Sequence, residues 1–151
     1  MFKTTSMQAD AGFKSTIDGS TENLINLPGP VGVQTFSSLA GGIAQNVYSL
    51  AQEKERSQSF VCLSGAISEL SRFELPSGIQ VIAIPKVLEV RQKDMEYTAR
   101  YEKQGDTIVI KRRFLFSHPS TVCTPEDFTA LKPAIEKMVK DLQSQIIVQA
   151  S

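Results

Sequence analysis

The fold is decided by one continuous stretch, EYTARYEKQGDTIVIKRRFLF, which runs from Glu96 to Phe116. Its first third alternates, with Tyr97, Ala99 and Tyr101 on one face and polar side chains on the other, as in a strand with one buried face. Gly105 can adopt the positive φ of a tight turn, and the residues after it form the return strand. The stretch therefore predicts a β-hairpin with strands at 96–102 and 107–116.

The return strand places one cation on its apolar face. Its apolar positions are Ile108, Ile110, Phe114 and Phe116. Arg112 falls on the same face, and its charge requires either water or a partner. We therefore expect this end of the face to lie open, or the Arg112 side chain to extend to its rim.

A helix is predicted directly downstream of the hairpin. Thr124 is the expected N-cap, Pro125 occupies the first helical position, and Glu126 and Asp127 place negative charge in the first turn. An apolar stripe at helical spacing follows, formed by Phe128, Leu131, Ile135, Met138, Val139 and Leu142. Because the stripe continues past Pro133, the proline predicts a bend in the helix and not its end.

Shorter strands are predicted on both sides of these elements. Upstream they are Phe13–Ile17, Val31–Val33, Ser59–Leu63, Leu70–Leu75 and Gln80–Ile84, and downstream Ile146–Val148. Asn26–Pro30 is predicted to interrupt regular structure, because two prolines flank its glycine. Ser37–Gly42 is predicted to be a loop.

The order of elements predicts the architecture. Many strands, one helix and a last strand favour a mainly β fold, in which an antiparallel sheet or β-sandwich packs against one C-terminal helix near 125–143. Residues 1–52 are predicted to be a charge-poor part of strands and loops, and 53–151 the sheet with the helix. The two parts together are predicted to form one domain.

Composition restricts the function classes. The 151 residues include 16 Lys+Arg and 16 Asp+Glu, so the net charge is zero. A neutral chain has no overall basic field to attract nucleic acid, and we expect no nucleic-acid partner. No apolar run approaches the roughly 18 residues of a transmembrane helix, so no membrane span is predicted.

Few residues are available for catalysis or metal binding, because the chain has one His and two Cys. Cys62, His118 and Asp127 follow the order of a Cys-His-Asp triad, but Cys62 lies in an apolar, strand-like run that raises a thiol pKa. His118 is predicted to be an exposed loop residue. We therefore predict no catalytic residue, no metal ligand and no cofactor.

The pairing of Cys62 with Cys123 stays open at the level of sequence. Their separation of 61 positions fits no metal or redox motif. The favoured interpretation is that the two cysteines are separate, small core residues, and the alternative is that they form a disulfide.

Other charged groups are interpreted as structural. Lys111 and Arg113 share one strand face and Arg112 takes the other, which is typical of a solvated strand. The carboxylate pairs Asp94/Glu96 and Glu126/Asp127 are predicted to mark a turn and a helix start.

Five ordered motifs carry a resemblance to a known family. They are Phe73-Glu-Leu-Pro-Ser-Gly78, Val81-Ile-Ala-Ile-Pro85, Tyr97-Thr-Ala-Arg-Tyr101, Gly105-Asp-Thr-Ile-Val-Ile-Lys-Arg-Arg-Phe114 and Thr124-Pro-Glu-Asp-Phe128. Together they resemble the C-terminal domain of unknown function of bacterial transglutaminase-like proteins. The resemblance covers 70–150 well and 1–69 loosely, through Asn26–Pro30 and Lys54–Arg56.

The resemblance implies a role for the chain. In that family the catalytic Cys-His-Asp site lies in a papain-like core upstream of this module, and the parent proteins are typically exported to the periplasm or cell surface. It implies a non-catalytic accessory module that packs on the transglutaminase-like core. The alternative is an autonomous binding domain for peptide or glycan ligands.

A docking face is also predicted from charge. Between Ala11 and Ala51 the only charged residues are Lys14, Asp18 and Glu22. A self-contained surface normally carries both signs of charge throughout, so part of this stretch is expected to be covered by the parent core.

Overall fold

The computed structural model describes residues 2–9, 14–20, 28–35 and 41–151. Within them the elements in chain order are β1 (Phe2–Ala9), β2 (Lys14–Gly19), β3 (Val31–Gln34), α1 (Ile43–Ala51), β4 (Phe60–Val61), β5 (Gly65–Glu74), β6 (Ile79–Ala83), β7 (Leu88–Gln92), β8 (Met95–Gln104), β9 (Thr107–Phe116), β10 (Val122–Cys123), α2 (Pro125–Leu142) and β11 (Gln145–Ala150). The mainly β fold with a C-terminal helix is as predicted.

The strands of the described segments form three antiparallel sheets. The largest has six strands in the order β2-β1-β5-β9-β8-β7, a smaller one has the order β3-β11-β6, and β10 pairs with β4. The predicted hairpin is β8–β9, with Tyr97 opposite Phe114 and Tyr101 opposite Ile110. Gly105 makes the turn with a φ of 62°, which a side chain would disfavour.

Helix α2 begins as its sequence predicts. The Thr124 N–H donates to Asp127 Oδ2 at 3.0 Å, and the Asp127 N–H donates to Thr124 Oγ1 at 3.2 Å. This reciprocal capping box satisfies two backbone donors that a helix start otherwise leaves unpaired. The helix continues through Pro133 to Leu142.

One core connects the layers. It contains the inward side chains of β8 and β9, the buried face of α2 and two residues of β11, Ile146 and Val148. The stripe of α2 contributes Phe128, Leu131, Ile135, Met138 and Leu142, all buried. The helix contacts β7 and β8 of the large sheet and also α1. The predicted packing of the helix against a sheet is therefore confirmed.

Helix α1 is a correction to the prediction that residues 1–52 contain only strands and loops. Gly42 is its N-cap and provides no side-chain hydrogen bond. The cap comes from another element, because the Ile43 N–H donates to Oε1 of Glu69 in β5 at 2.7 Å. Ile43, Ala44 and Val47 then pack into the core.

The docking face predicted at 11–51 stays a prediction. Helix α1 buries its apolar side within this chain, whereas most of β2 is exposed. Residues 21–27 and 36–40, which include most of the predicted loop, lie outside the described residues.

Candidate functional site

The two cysteines form a disulfide beside the start of α2. Cys62 follows β4 and Cys123 ends β10, and the pairing of these strands brings the two Cα atoms to 5.7 Å, a distance that a disulfide spans. The favoured interpretation of two separate core cysteines is therefore wrong. Both residues are buried as expected, but they are covalently joined.

The disulfide should contribute measurably to stability. It closes a loop across 61 positions, which restricts the unfolded chain. We expect the Cys62→Ala/Cys123→Ala double variant to lose about 2 to 4 kcal/mol in the free energy of unfolding measured by urea titration. Val122→Ala, an exposed change in β10, is the control and should stay within about 0.5 kcal/mol of wild type. A double variant as stable as this control would contradict the prediction.

His118 packs against the disulfide. Its Nδ1 lies 3.9 Å from Sγ of Cys62 and 2.9 Å from the carbonyl oxygen of Ser120. Its ring stacks on Phe116, with the two ring centroids 6.1 Å apart. The side chain is only 7% exposed, so the prediction of an exposed loop residue is wrong.

Two carboxylates face the other nitrogen of the His118 ring. Nε2 lies 3.5 Å from Oδ2 of Asp127 and 3.8 Å from Oδ2 of Asp94. Asp94 occupies the turn between β7 and β8, and its Oδ2 is buried without a hydrogen bond from any described residue. Lys93 in the same turn donates to Asp127 Oδ1 at 3.1 Å, which fixes the turn against the start of α2.

The structure therefore brings Cys62, His118 and Asp127 together, although the sequence argued against them as a triad. The order of the contacts is that of a thiol, a base and an orienting carboxylate. The sulfur of Cys62 is bonded to Cys123, however, so it is not a thiolate nucleophile in this form.

Asp127 carries a lowered pKa. Hydrogen bonding from the Thr124 N–H, and then from Lys93, lowers the pKa of this carboxyl from 3.8 to about 2. A carboxyl group whose pKa is lowered by folding stabilises the folded state at pH values above its ordinary pKa. This stabilisation is lost as the pH falls through the pKa of the folded state.

The stability of the chain should therefore decline between about pH 4 and pH 2, in part through Asp127. We expect Asp127→Asn to flatten this part of the pH profile, measured as the urea midpoint at each pH. Glu126→Gln, an exposed change in the same helical turn, is the control and should keep the wild-type slope. An unchanged slope in Asp127→Asn would mean that the capping contacts do not set the acid response.

A second polar cluster lies inside the core around Arg112, which is 3% exposed. Its Nε donates to Oδ2 of Asp141 in α2 at 3.2 Å. Its other nitrogens donate to the Thr35 carbonyl oxygen and hydroxyl and to the Tyr101 hydroxyl. The prediction that Arg112 reaches an open rim is therefore wrong, because these partners replace water inside the core.

Asp141 is the centre of this cluster. It also accepts hydrogen bonds from the Tyr97 hydroxyl at 2.6 Å and the Tyr101 hydroxyl at 2.7 Å. Burial raises the pKa of both tyrosines and of Glu69, which lies opposite Arg112 on β5. Burial alone lowers the pKa of Arg112, but the tyrosines and Asp141 raise it overall, so Arg112 stays charged.

The outer face of the large sheet carries the other basic residues. Lys111 and Arg113 are exposed there, as the strand alternation predicts. Lys111 pairs with Glu102 at 3.3 Å, and Arg100 pairs with Glu89 at 3.4 Å. A shallow pocket of about 320 Å³ lies over these strands, lined in part by Arg100, Lys111 and Arg113.

The two carboxylate pairs singled out from the sequence lie in the positions predicted for them. Asp94 lies in the β7–β8 turn and Glu96 is exposed on β8. Glu126 and Asp127 occupy the first turn of α2, as predicted.

An apolar patch is exposed next to the disulfide. Val61 is 70% exposed, Leu63 71% and Val122 48%. Val61 and Val122 are directly opposite each other in the β4–β10 pair. We call these three residues the β4–β10 patch.

These observations define a mainly β module with two packed helices, a buried disulfide and a buried charge cluster. The chain belongs to the family described as "Domain of Unknown Function with solved-structure structure (DUF3858)", which matches residues 39–148. No curated protein and no solved structure gives a significant match. Among the described residues, no helix has both the length and the apolar character required to cross a membrane.

Proposed function

We propose that the chain is a non-catalytic accessory module that packs on a transglutaminase-like core in a longer, exported bacterial protein. The observation that carries the proposal is the β4–β10 patch. Single exposed apolar residues are common, but adjacent ones on paired strands favour an interaction surface. A core domain in the same parent protein is the expected occupant.

The disulfide supports the other parts of the proposal. Disulfides persist mainly in exported proteins, which agrees with a periplasmic or cell-surface location. The bond also occupies both cysteines of the chain. A cysteine nucleophile is then expected in the core and not in this module.

Binding to the core is the direct test. The probe is the transglutaminase-like domain that the proposal expects in the same reading frame, produced separately and titrated with the present chain by calorimetry. We expect binding by wild type and at least about tenfold weaker binding by Val61→Ser/Leu63→Ser. A tenfold change in affinity corresponds to about 1.4 kcal/mol of binding free energy. Val87→Ser is the matched control, since Val87 is 58% exposed and precedes β7, at the other end of this strand from the turn whose Asp94 faces His118. Absence of wild-type binding, or equal binding by the patch variant, would refute the proposal.

Activity is tested separately. The chain, oxidised and reduced, is incubated with casein and an amine donor, and then with peptide substrates. We expect background rates in both states. Activity that Cys62→Ser abolishes would contradict the non-catalytic role and identify Cys62 as the nucleophile.

An autonomous binding domain for peptide or glycan is the second candidate. The pocket lined by Arg100, Lys111 and Arg113 favours it, and an acidic peptide fits these charges. Glycan sites commonly offer an aromatic platform, whereas the exposed large apolar side chains of the described segments are all aliphatic. Arg113→Ser should abolish binding of an acidic peptide if this candidate is correct, and the β4–β10 patch variant should not affect it.

A further inference from the structure

The disulfide and His118 form a compact group of possible metal ligands. Sγ of Cys62, Sγ of Cys123 and one ring nitrogen of His118 all lie within 4.8 Å of one another. They come from three separate segments: the residue after β4, the loop after β9 and the end of β10. Cys123 belongs to the β4–β10 pair, and the Cys62 N–H donates to the Thr121 carbonyl oxygen at 3.0 Å, so backbone hydrogen bonds position both cysteines.

The ligand types select the metal. Two thiolates with one imidazole suit zinc, which binds such sets with water in the fourth position. Zinc–sulfur bonds of about 2.3 Å in a tetrahedral site require the two sulfurs to lie about 3.8 Å apart. The sulfurs must therefore separate once the disulfide is reduced, which rotation of the two side chains allows while the Cα atoms stay near 5.7 Å.

The carboxylates beside His118 fit this role, whereas the metal would replace the contacts of Nδ1 with Ser120, whose N–H donates to it at 3.2 Å. A metal-bound histidine usually donates its other ring N–H to a carboxylate, which orients the ring. If Nδ1 binds the metal, Nε2 carries the proton and faces Asp127 and Asp94. Oδ2 of Asp94 lies 3.8 Å from Nε2 and has no hydrogen-bond partner among the described residues, so a small movement of the ring would give it this donor.

We propose that reduction of the disulfide converts Cys62, Cys123 and His118 into a zinc-binding site. Two molecules of a thiol reductant give up two hydrogens and form their own disulfide, and Cys62 and Cys123 become thiols. Zinc then binds as both thiols release their protons, and His118 binds through Nδ1. The same atoms thus have an oxidised, covalent state and a reduced, metal-bound state.

The experiment uses the full chain. It is reduced with a phosphine, which takes up the oxygen of water as the disulfide gains two hydrogens, and the reagent is removed without oxygen. Zinc is titrated calorimetrically, and cobalt replaces it for absorption spectroscopy. We expect one metal per reduced chain, sulfur-to-cobalt charge-transfer absorption, and no binding by the oxidised chain.

Variants distinguish the metal ligands from the carboxylate that orients His118. Cys62→Ser/Cys123→Ser should abolish binding, and His118→Gln should weaken it by at least about 100-fold. Asp94→Asn should weaken binding by about 10- to 100-fold, the usual effect of a carboxylate that orients a ligand. Asp106→Asn, in the β8–β9 turn, is the matched control and should bind as wild type does.

Three results would overturn the proposal. They are no binding by the reduced wild type, binding unchanged in His118→Gln, and a reduced chain that circular dichroism shows to be unfolded and that zinc does not refold. The last result would show that the backbone does not hold the three ligands in place once the disulfide is reduced.

Discussion

Replacing Arg112 by methionine should lower the free energy of unfolding by about 3 to 5 kcal/mol. The substitution keeps much of the side-chain volume but leaves Asp141 buried without its cation, and removes the positive charge opposite Glu69. Breaking a buried ion pair from one side is costly, because the remaining charge stays out of water. Urea unfolding monitored by circular dichroism at neutral pH measures the loss.

Arg113→Met is the matched control for this prediction. Arg113 is the next residue of the same strand but faces solvent, so we expect a change within about 0.5 kcal/mol. A loss below about 1 kcal/mol in Arg112→Met would show that the cluster admits water. The double variant with Asp141→Asn should recover part of the loss, because it removes the uncompensated charge.

The second large effect is expected at Phe128. Its side chain is 2% exposed, and its ring meets Phe60 edge-on with the centroids 6.0 Å apart. Phe128→Ala should cost about 3 to 5 kcal/mol, since it removes a buried ring and leaves a cavity. Lys137→Ala on the exposed side of α2 is the control, and a loss under about 1 kcal/mol at Phe128 would refute its placement in the core.

The elements that sequence predicts well carry their signals locally. The β8–β9 hairpin has its alternation and turn glycine within one stretch, and α2 has its cap, first-turn charges and stripe in order. Their bounds agree with the prediction within about two residues, the usual uncertainty of an element end.

The features that sequence misses depend on distant partners. Helix α1 has apolar residues at helical spacing, Ile43 and Val47, but its cap comes from Glu69, 26 positions away. The disulfide depends on a strand pair of two residues each. The neighbouring sequence does not show why Arg112 lies on an apolar face. Its partners Thr35 and Asp141 are 77 and 29 positions away in the chain.

The candidate site is likewise predictable from sequence in part: its residues can be identified, but their proximity cannot. The residues Cys62, His118 and Asp127 are identifiable because the chain has so few of their kind. Their proximity is not, because three loops and strand ends that are separate in sequence determine it.

The order of the large sheet has a consequence for the solubility of this protein. Residues 39–148, which match the family, supply β5, β9, β8 and β7, whereas β1 and β2 lie before them. Without β1, the ten residues of β5 would present an open row of backbone donors and acceptors. Such an edge recruits strands from other molecules and promotes aggregation. By pairing with β5, β1 covers this edge. A protein shortened to the matched region is therefore expected to self-associate through β5.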